Sequence, residues 1–225
     1  MININTYGTS SVFSWTKEYL LSVLMNGKNP ILTDALLINA FRNVDRKDFV
    51  PEKQANLAYG DYEVDIGYSE KLNKPTIIAQ MLSYLAPKYG GKYLDIGTGT
   101  GYTAALLGYC AGDSGKVFSI ERVQWIYENA RICLKKYPSI KNVEVIYRDG
   151  SDGLIQKAPF DGIHIAFADD AISNKLKMQL KVDGGVLVHP TSENNLKIIK
   201  RNGVDDFTEE LVNGFVFDKS KAGTA

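Results

Sequence analysis

Tyr93-Leu94-Asp95-Ile96-Gly97-Thr98-Gly99-Thr100-Gly101-Tyr102 is the stretch that decides the fold. Its first four residues read as a buried strand, its glycines as a tight turn, and the apolar run that follows as a helix. A strand–turn–helix unit of this kind brings backbone N–H groups close to a ligand, at a helix N-terminus that favours negative charge. It therefore predicts a nucleotide-like ligand and leaves the choice of ligand to residues further along.

A dinucleotide fits poorly. That fingerprint needs G-x-G-x-x-G/A, and its sixth position here is Tyr102, where close helix–strand packing asks for a small residue. The pattern present is G-x-G-x-G with Asp95 two residues ahead of it, which resembles the turn that holds S-adenosylmethionine in the doubly wound methyltransferases. This donor has no pyrophosphate; it carries an ammonium and a sulfonium, which a nearby carboxylate such as Asp95 favours. Lys116–Glu121 reads as a second strand ending in an acid, suited to ribose hydroxyls. Asn142–Tyr147 reads as a third, followed by Arg148-Asp149-Gly150, suited to an adenine edge. Either acid alone could simply cap a turn. Three strand-end acids in order, at the edge where open α/β sheets bind ligands, point to a cofactor crevice. The expected cofactor-binding residues are Asp95, Gly97, Thr98, Gly99, Gly101, Tyr102, Glu121, Arg122, Asp149 and Gly150.

The rest of the chain is consistent with such an enzyme. Strand and helix patterns alternate from residue 75 onward: helix 75–85 opened by Pro75, strand 92–96, helix 101–111, strand 116–120, helix 123–136, strand 142–147, strand 161–166, helix 172–181, strand 185–189. Lys197–Arg201 and Phe207–Val212 close the series as a strand pair across Asn202-Gly203. The alternation predicts an α/β fold, a doubly wound, mostly parallel seven-stranded sheet. Residues 1–75 read as N-terminal helices (12–27, including Phe13, and 33–43, capped by Thr33 or Asp34) and a substrate-side loop region. The segment 44–74 reads as irregular, and a loop that long in a compact domain is usually functional. Residues 76–225 read as the donor-binding domain, the two parts forming one compact unit.

Composition narrows the partners. Lys+Arg 26 balance Asp+Glu 26, so no net field draws the chain to nucleic acid or to a membrane surface. No run of 18 apolar residues and no leader pattern is seen, so cytoplasmic residence is the default expectation. Cys110 and Cys133 fall on apolar helix faces and read as reduced core residues; no metal site is expected. The oligomeric expectation is a monomer or a small homo-oligomer.

The motifs as a set resemble one family, the protein-L-isoaspartate (D-aspartate) O-methyltransferases, from about residue 33 to about residue 215. Val44-Asp45-Arg46, Phe49-Val50-Pro51, Ala58-Tyr59-Gly60-Asp61 and Ile66-Gly67-Tyr68 match its distinctive leader. The glycine turn, Ser119-Ile120-Glu121-Arg122, Asp149-Gly150, Phe160-Asp161-Gly162-Ile163-His164 and Gly184-Gly185 match its later motifs. The resemblance implies transfer of a methyl group from S-adenosylmethionine to the free carboxylate of isoaspartyl residues in damaged proteins or peptides. The rival readings keep the donor and change the acceptor to another carboxylate, or treat the chain as a donor-binding module without turnover. RNA is disfavoured by the balanced charge.

Two segments depart from the family pattern. Between Gly67 and Pro75 the family carries Gln-Thr-Ile-Ser-x-Pro; here Glu70-Lys71-Leu72-Asn73-Lys74-Pro75 stands in its place. The family serine, which the resemblance places at the acceptor, falls on Asn73, and its threonine on Lys71. Asn73 is the expected catalytic contact, donating amide N–H to the acceptor. Lys71, Leu72, Asn73 and Phe167 are the expected substrate-binding residues, with Lys71 and Lys74 adding positive charge. Ala166-Phe167-Ala168-Asp169-Asp170 is the second departure, where the family prefers a run of small residues and a proline. Tyr62, Tyr68 and Phe167 read as a lid or as loop packing. His164 and His189 read as structural. Carboxylates are ionised at neutral pH, so the expected chemistry needs no general base.

Overall fold

The computed structural model describes residues 15–168 and 172–214; Phe13, Asp169 and Asp170 of the sequence reading lie outside them. Helix α1 (Lys17–Asn26) starts where the Thr16 hydroxyl accepts the Tyr19 N–H, and α2 (Ala35–Asn43) where Asp34 accepts the Leu37 N–H. Two 3-10 turns, Arg46–Phe49 and Glu52–Leu57, lead into a small antiparallel hairpin, β1 (Val64–Gly67) and β2 (Glu70–Leu72). The segment expected to be irregular thus contains a hairpin. Its strands are four and three residues long, too short for an alternating pattern to register, and Tyr68 and Ser69 turn it with positive φ in place of the usual Asn-Gly. Pro75 occupies the first turn of α3 (Pro75–Leu85), as expected.

From there β3 (Lys92–Ile96), α4 (Tyr102–Ala111), β4 (Lys116–Glu121), α5 (Gln124–Leu134), β5 (Val143–Tyr147), β6 (Gly162–Ile165), α6 (Asn174–Lys177), β7 (Gly185–Pro190), β8 (Leu196–Arg201) and β9 (Phe207–Val212) follow in turn. They build one seven-stranded sheet in the order β5-β4-β3-β6-β7-β8-β9. The pairs from β5 to β7 are parallel, and β7–β8–β9 is an antiparallel meander. The helix expected over 172–181 is a single turn. Beyond it the Lys181 N–H donates to the Phe160 carbonyl and the Phe160 N–H to the Gln179 carbonyl, so tertiary pairing holds the chain out of helix.

The sheet is apolar on both faces, as crossover helices demand. Tyr93, Val117 and Val188 face a large cluster that runs continuously from Leu20 in α1 through Leu72 to the helices α3–α5. Leu94, Ile96, Phe118, Ile120, Ile163 and Leu187 face a second cluster that includes Phe160 and Leu176 of α6. Both cysteines are free and buried, and burial pushes the Cys110 thiol up to about 12, which makes it inert at neutral pH. Among the described residues no helix is long and apolar enough to cross a membrane.

Asp161, at the start of β6, anchors that strand: its carboxylate accepts the Lys92 N–H at 2.9 Å and the Lys181 ammonium at 2.9 Å. Burial acts to raise its pKa, but these donors outweigh it and the net shift is downward. A carboxylate lowered in the folded state stabilises above its unfolded value and loses that contribution as pH falls through the folded one. Asp161→Asn is therefore expected to lower the thermal midpoint near neutrality and to flatten its acid limb; a midpoint parallel to wild type at every pH would remove Asp161 from the acid response.

Candidate functional site

β3, β4 and β5 step one way across the sheet, and β6 and β7 step the other way from β3. The loops after β3 and β6 therefore part, and they open a crevice at the C-terminal ends of the strands. The glycine turn forms one wall. Gly97 and Gly101 have φ of +91° and +94°, a conformation that side chains disfavour strongly. A Cβ on Gly97 would stand 3.1 Å from the Ala166 methyl and 3.4 Å from the Phe167 ring. Ile66 of β1 lies over Gly99, so the hairpin roofs the turn.

The turn's N–H groups are largely engaged within the protein. Gly97 and Thr98 both donate to the Ile120 carbonyl at 3.0 and 3.1 Å, Gly101 donates to Thr98, and Gly99 donates to the Glu121 carboxylate at 3.0 Å. This corrects the expectation that these amides face a ligand. The turn offers a shaped backbone whose Cβ positions are already hemmed in by Ala166, Phe167, Ile66 and Leu134.

Glu121 ends β4 almost fully buried, and its other oxygen accepts the Arg122 and Val123 N–H groups at 2.9 and 3.0 Å. Burial raises its pKa more than these three donors lower it. A carboxylate offers about four acceptor directions, so one is left for a ligand hydroxyl. Capping and ligand binding are thus compatible at this residue. Asp149 is exposed at the end of β5 and accepts the Ser151 N–H at 2.8 Å, which holds its carboxyl below the usual range. Gly150 is buried beside Ile96, 2.6 Å from the place a Cβ would occupy. Arg122 reaches Glu70 of β2 at 3.5 Å and ties the hairpin to α5, and Tyr68 rests on Trp125 at 5.9 Å between ring centroids.

Asp95 takes a position the sequence reading did not foresee. It is fully buried, and both its oxygens have protein partners: His164 Nδ1 at 2.8 Å and Ser119 Oγ at 2.7 Å. Ser119 in turn meets Thr98 Oγ1 at 2.7 Å. Both oxygens of Asp95 are thus engaged within the protein. Tyr102 is a correction of the same kind. It is buried between Phe41 and Phe49, with centroids at 6.2 and 5.5 Å, so it packs α4 against the N-terminal segment and does not face the crevice. Adjacency in the motif placed it there, but helix geometry turns its side chain to the α2 side.

On the acceptor side, Asn73 follows β2 and stands across the crevice from β6. Its Nδ2 donates to the Ala166 carbonyl at 3.0 Å, and its own carbonyl accepts from Arg46 at 3.0 Å. One amide N–H and the side-chain oxygen remain. Lys71 pairs with Glu63 at 3.4 Å, which partly neutralises its charge. Leu72 is buried opposite Val64 in the hairpin and belongs to the core, so it is corrected from contact to packing. Phe167 lies beside Gly97 and lines a small pocket with Ile96, Gly150, Ile165 and Leu176.

Arg46 was quoted in the leader without a role, and the structure makes it the organiser of this side. Its guanidinium is buried and donates to the carbonyls of Ala58, Tyr62 and Asn73 at 2.8, 3.1 and 3.0 Å, and to Leu57 at 3.4 Å. Burial lowers its pKa to about 10, which leaves it charged at neutral pH. Charge count and spacing give no hint that an arginine will be enclosed by carbonyls.

Comparison with known proteins agrees with this architecture. The family model for protein-L-isoaspartate(D-aspartate) O-methyltransferase matches residues 16–217. A protein-L-isoaspartate O-methyltransferase of Fervidobacterium nodosum is 36% identical over 178 residues, covering 78% of this chain and 88% of that one. The corresponding enzyme of Methanothermobacter thermautotrophicus is 34% identical over 183 residues, covering 79% and 83%. Among solved structures, one from Plasmodium falciparum, described as a beta-aspartate methyltransferase in complex with S-adenosyl-L-homocysteine, superposes with a TM-score of 0.78. It is 21% identical and covers 92% of this chain and 98% of that one, a likeness that speaks to the fold.

Proposed function

The chain belongs to the protein-L-isoaspartate(D-aspartate) O-methyltransferase family, and from that premise we propose how its crevice methylates the free carboxylate of L-isoaspartyl residues in damaged proteins and peptides. The observation that carries the reading is the conjunction, within one family match, of the glycine turn with strand-end acids at the switch point of the sheet.

The residues present suit S-adenosylmethionine. Gly97 and Gly101 give the turn its left-handed backbone, Glu121 keeps an acceptor direction for ribose, Asp149 and Gly150 bound the adenine side, and Arg122 ties the hairpin above. When bound, the donor supplies a methyl group on a cationic sulfur, already activated for displacement. The acceptor carboxylate would provide the oxygen lone pair for the new C–O bond, and the sulfur would keep the electrons of the S–C bond. No proton moves, and no base is required. What the chain must supply is alignment and exclusion of water. The hairpin roof and the Phe167 loop serve the second need. Asn73 serves the first, holding the acceptor-side loop against Ala166 and keeping a second amide N–H for the acceptor. Lys71 and Lys74 draw an anionic peptide toward the mouth.

A methyl-transfer assay on matched peptides tests the reading. Isoaspartate is expected to accept methyl groups and normal aspartate not to; equal labelling of both would sink it. Asn73→Ala is expected to lower kcat/KM for the isoaspartyl peptide about tenfold, as loss of one hydrogen bond to a charged group implies, with donor affinity retained. Unchanged kinetics would remove Asn73 from the acceptor site.

A further inference from the structure

The parallel register sets three polar side chains side by side in the middle of an otherwise apolar sheet. Asp95 of β3 pairs in register with Ser119 of β4 on one side and with His164 of β6 on the other. All three point to the face whose neighbours are Tyr93, Val117 and Val188, under the layer of α3–α5. Asp95 and Ser119 are fully enclosed and His164 is 1% exposed. A carboxylate only accepts, so the hydrogen-bond directions follow: His164 Nδ1–H and Ser119 O–H both donate to Asp95, and the Thr98 hydroxyl donates to Ser119. Thr98 is the residue between Gly97 and Gly99. The row therefore runs from the centre of the sheet into the glycine turn and ends there.

Burying a carboxylate is unfavourable unless it is paired and hydrogen-bonded. Packing alone would place an apolar side chain at Asp95, as at Leu94 and Ile96 beside it. Beyond the row, His164 Nε2 is buried with no hydrogen-bond partner, a second unfavourable feature retained in the same place. The row that holds both features ends at Thr98, within the glycine turn. Resting on the donor reading given above, we infer that Asp95 favours the charged methyl donor over its demethylated product, while His164 and Ser119 hold its carboxylate in place and Ser119 and Thr98 fix the turn. These are positioning residues, since none but Thr98 borders the crevice.

Donor and product differ by one positive charge at the sulfur and by one methyl group. Charge near a low-dielectric carboxylate is worth about tenfold in relative affinity. Turn geometry, by contrast, affects both ligands alike. The test is calorimetric Kd for S-adenosylmethionine and for S-adenosylhomocysteine on the full chain. Asp95→Asn keeps the shape and removes the charge; it is expected to weaken the donor about tenfold more than the product. Ser119→Ala keeps the charge and cuts the link to Thr98; it is expected to weaken both together, leaving their ratio within twofold. His164→Gln removes the ring and is expected to leave the ratio likewise unchanged, and it remains informative if Asp95→Asn does not fold. Equal loss of both ligands in Asp95→Asn, or a tenfold shift of the ratio in His164→Gln, overturns the inference. Wild-type protein that binds neither ligand would instead defeat the donor reading beneath it.

Discussion

Gly97→Val is expected to abolish measurable donor binding and to lower methyl transfer about 100-fold, while the far-ultraviolet circular dichroism spectrum keeps its wild-type shape. This outcome follows from two independent features of one residue. Its φ of +91° is open to glycine and costly for a β-branched side chain. Its Cβ position is also blocked, 3.1 Å from the Ala166 methyl and 3.4 Å from Phe167. Relief in one direction tightens the other, because Gly97 N–H and Thr98 N–H are both fixed on the Ile120 carbonyl. The turn must therefore shift bodily, and a shift of about 1 Å in a site that works by alignment costs about 100-fold. Retention of the fold is expected because Gly97 lies in the turn beyond the C-terminal end of β3 and belongs to neither core cluster. Calorimetry with S-adenosylmethionine decides it: wild-type affinity in Gly97→Val would mean that the turn is not the donor wall.

The same residue shows how much of the site was legible beforehand. The glycine turn, the strand-end acids Glu121 and Asp149 and the alternation of strands and helices lie in contiguous sequence, and each has a local physical meaning. The orientation of Asp95 does not. In a sheet buried on both faces the residues flanking Asp95 are all buried, so alternation cannot tell which face it joins. Its partners depend on strand order, since His164 is 69 residues away and reaches Asp95 only because β6 lies beside β3. Tyr102 and Leu72 show a related point: nearness in a motif does not fix the direction of a side chain, and helix and hairpin geometry turn both inward. The hairpin over the crevice was missed because its turn uses Tyr68 and Ser69, residues that carry no turn signal.

Arg46 is where the sequence was most silent and where a single substitution is expected to have the largest effect on stability. Arg46→Ala leaves the carbonyls of Ala58, Tyr62 and Asn73 without their donor, the first of these bonds buried and the other two part-buried. Each buried orphan costs about 1–3 kcal/mol, so a total of about 3–5 kcal/mol is expected, a large share of the 5–15 kcal/mol that holds an ordinary domain folded. Removal of the buried cation recovers part of the desolvation cost, which is why the lower half of the summed range is the better expectation. Arg46→Lys keeps the charge, but a single ammonium cannot span carbonyls that a planar fork reaches from two nitrogens; it is expected to lose about half as much. Function separates this from a general packing defect. Arg46 fixes Asn73 through its carbonyl and Asn73 fixes Ala166, so the acceptor side should fail before the donor side. In Arg46→Lys, at a temperature where the protein remains folded, KM for the isoaspartyl peptide is expected to rise several-fold while calorimetric affinity for S-adenosylmethionine changes little. Urea unfolding gives the first number and steady-state kinetics the second. An Arg46→Ala protein within 1 kcal/mol of wild type would show that these carbonyls find water and that the guanidinium is not what closes the acceptor side.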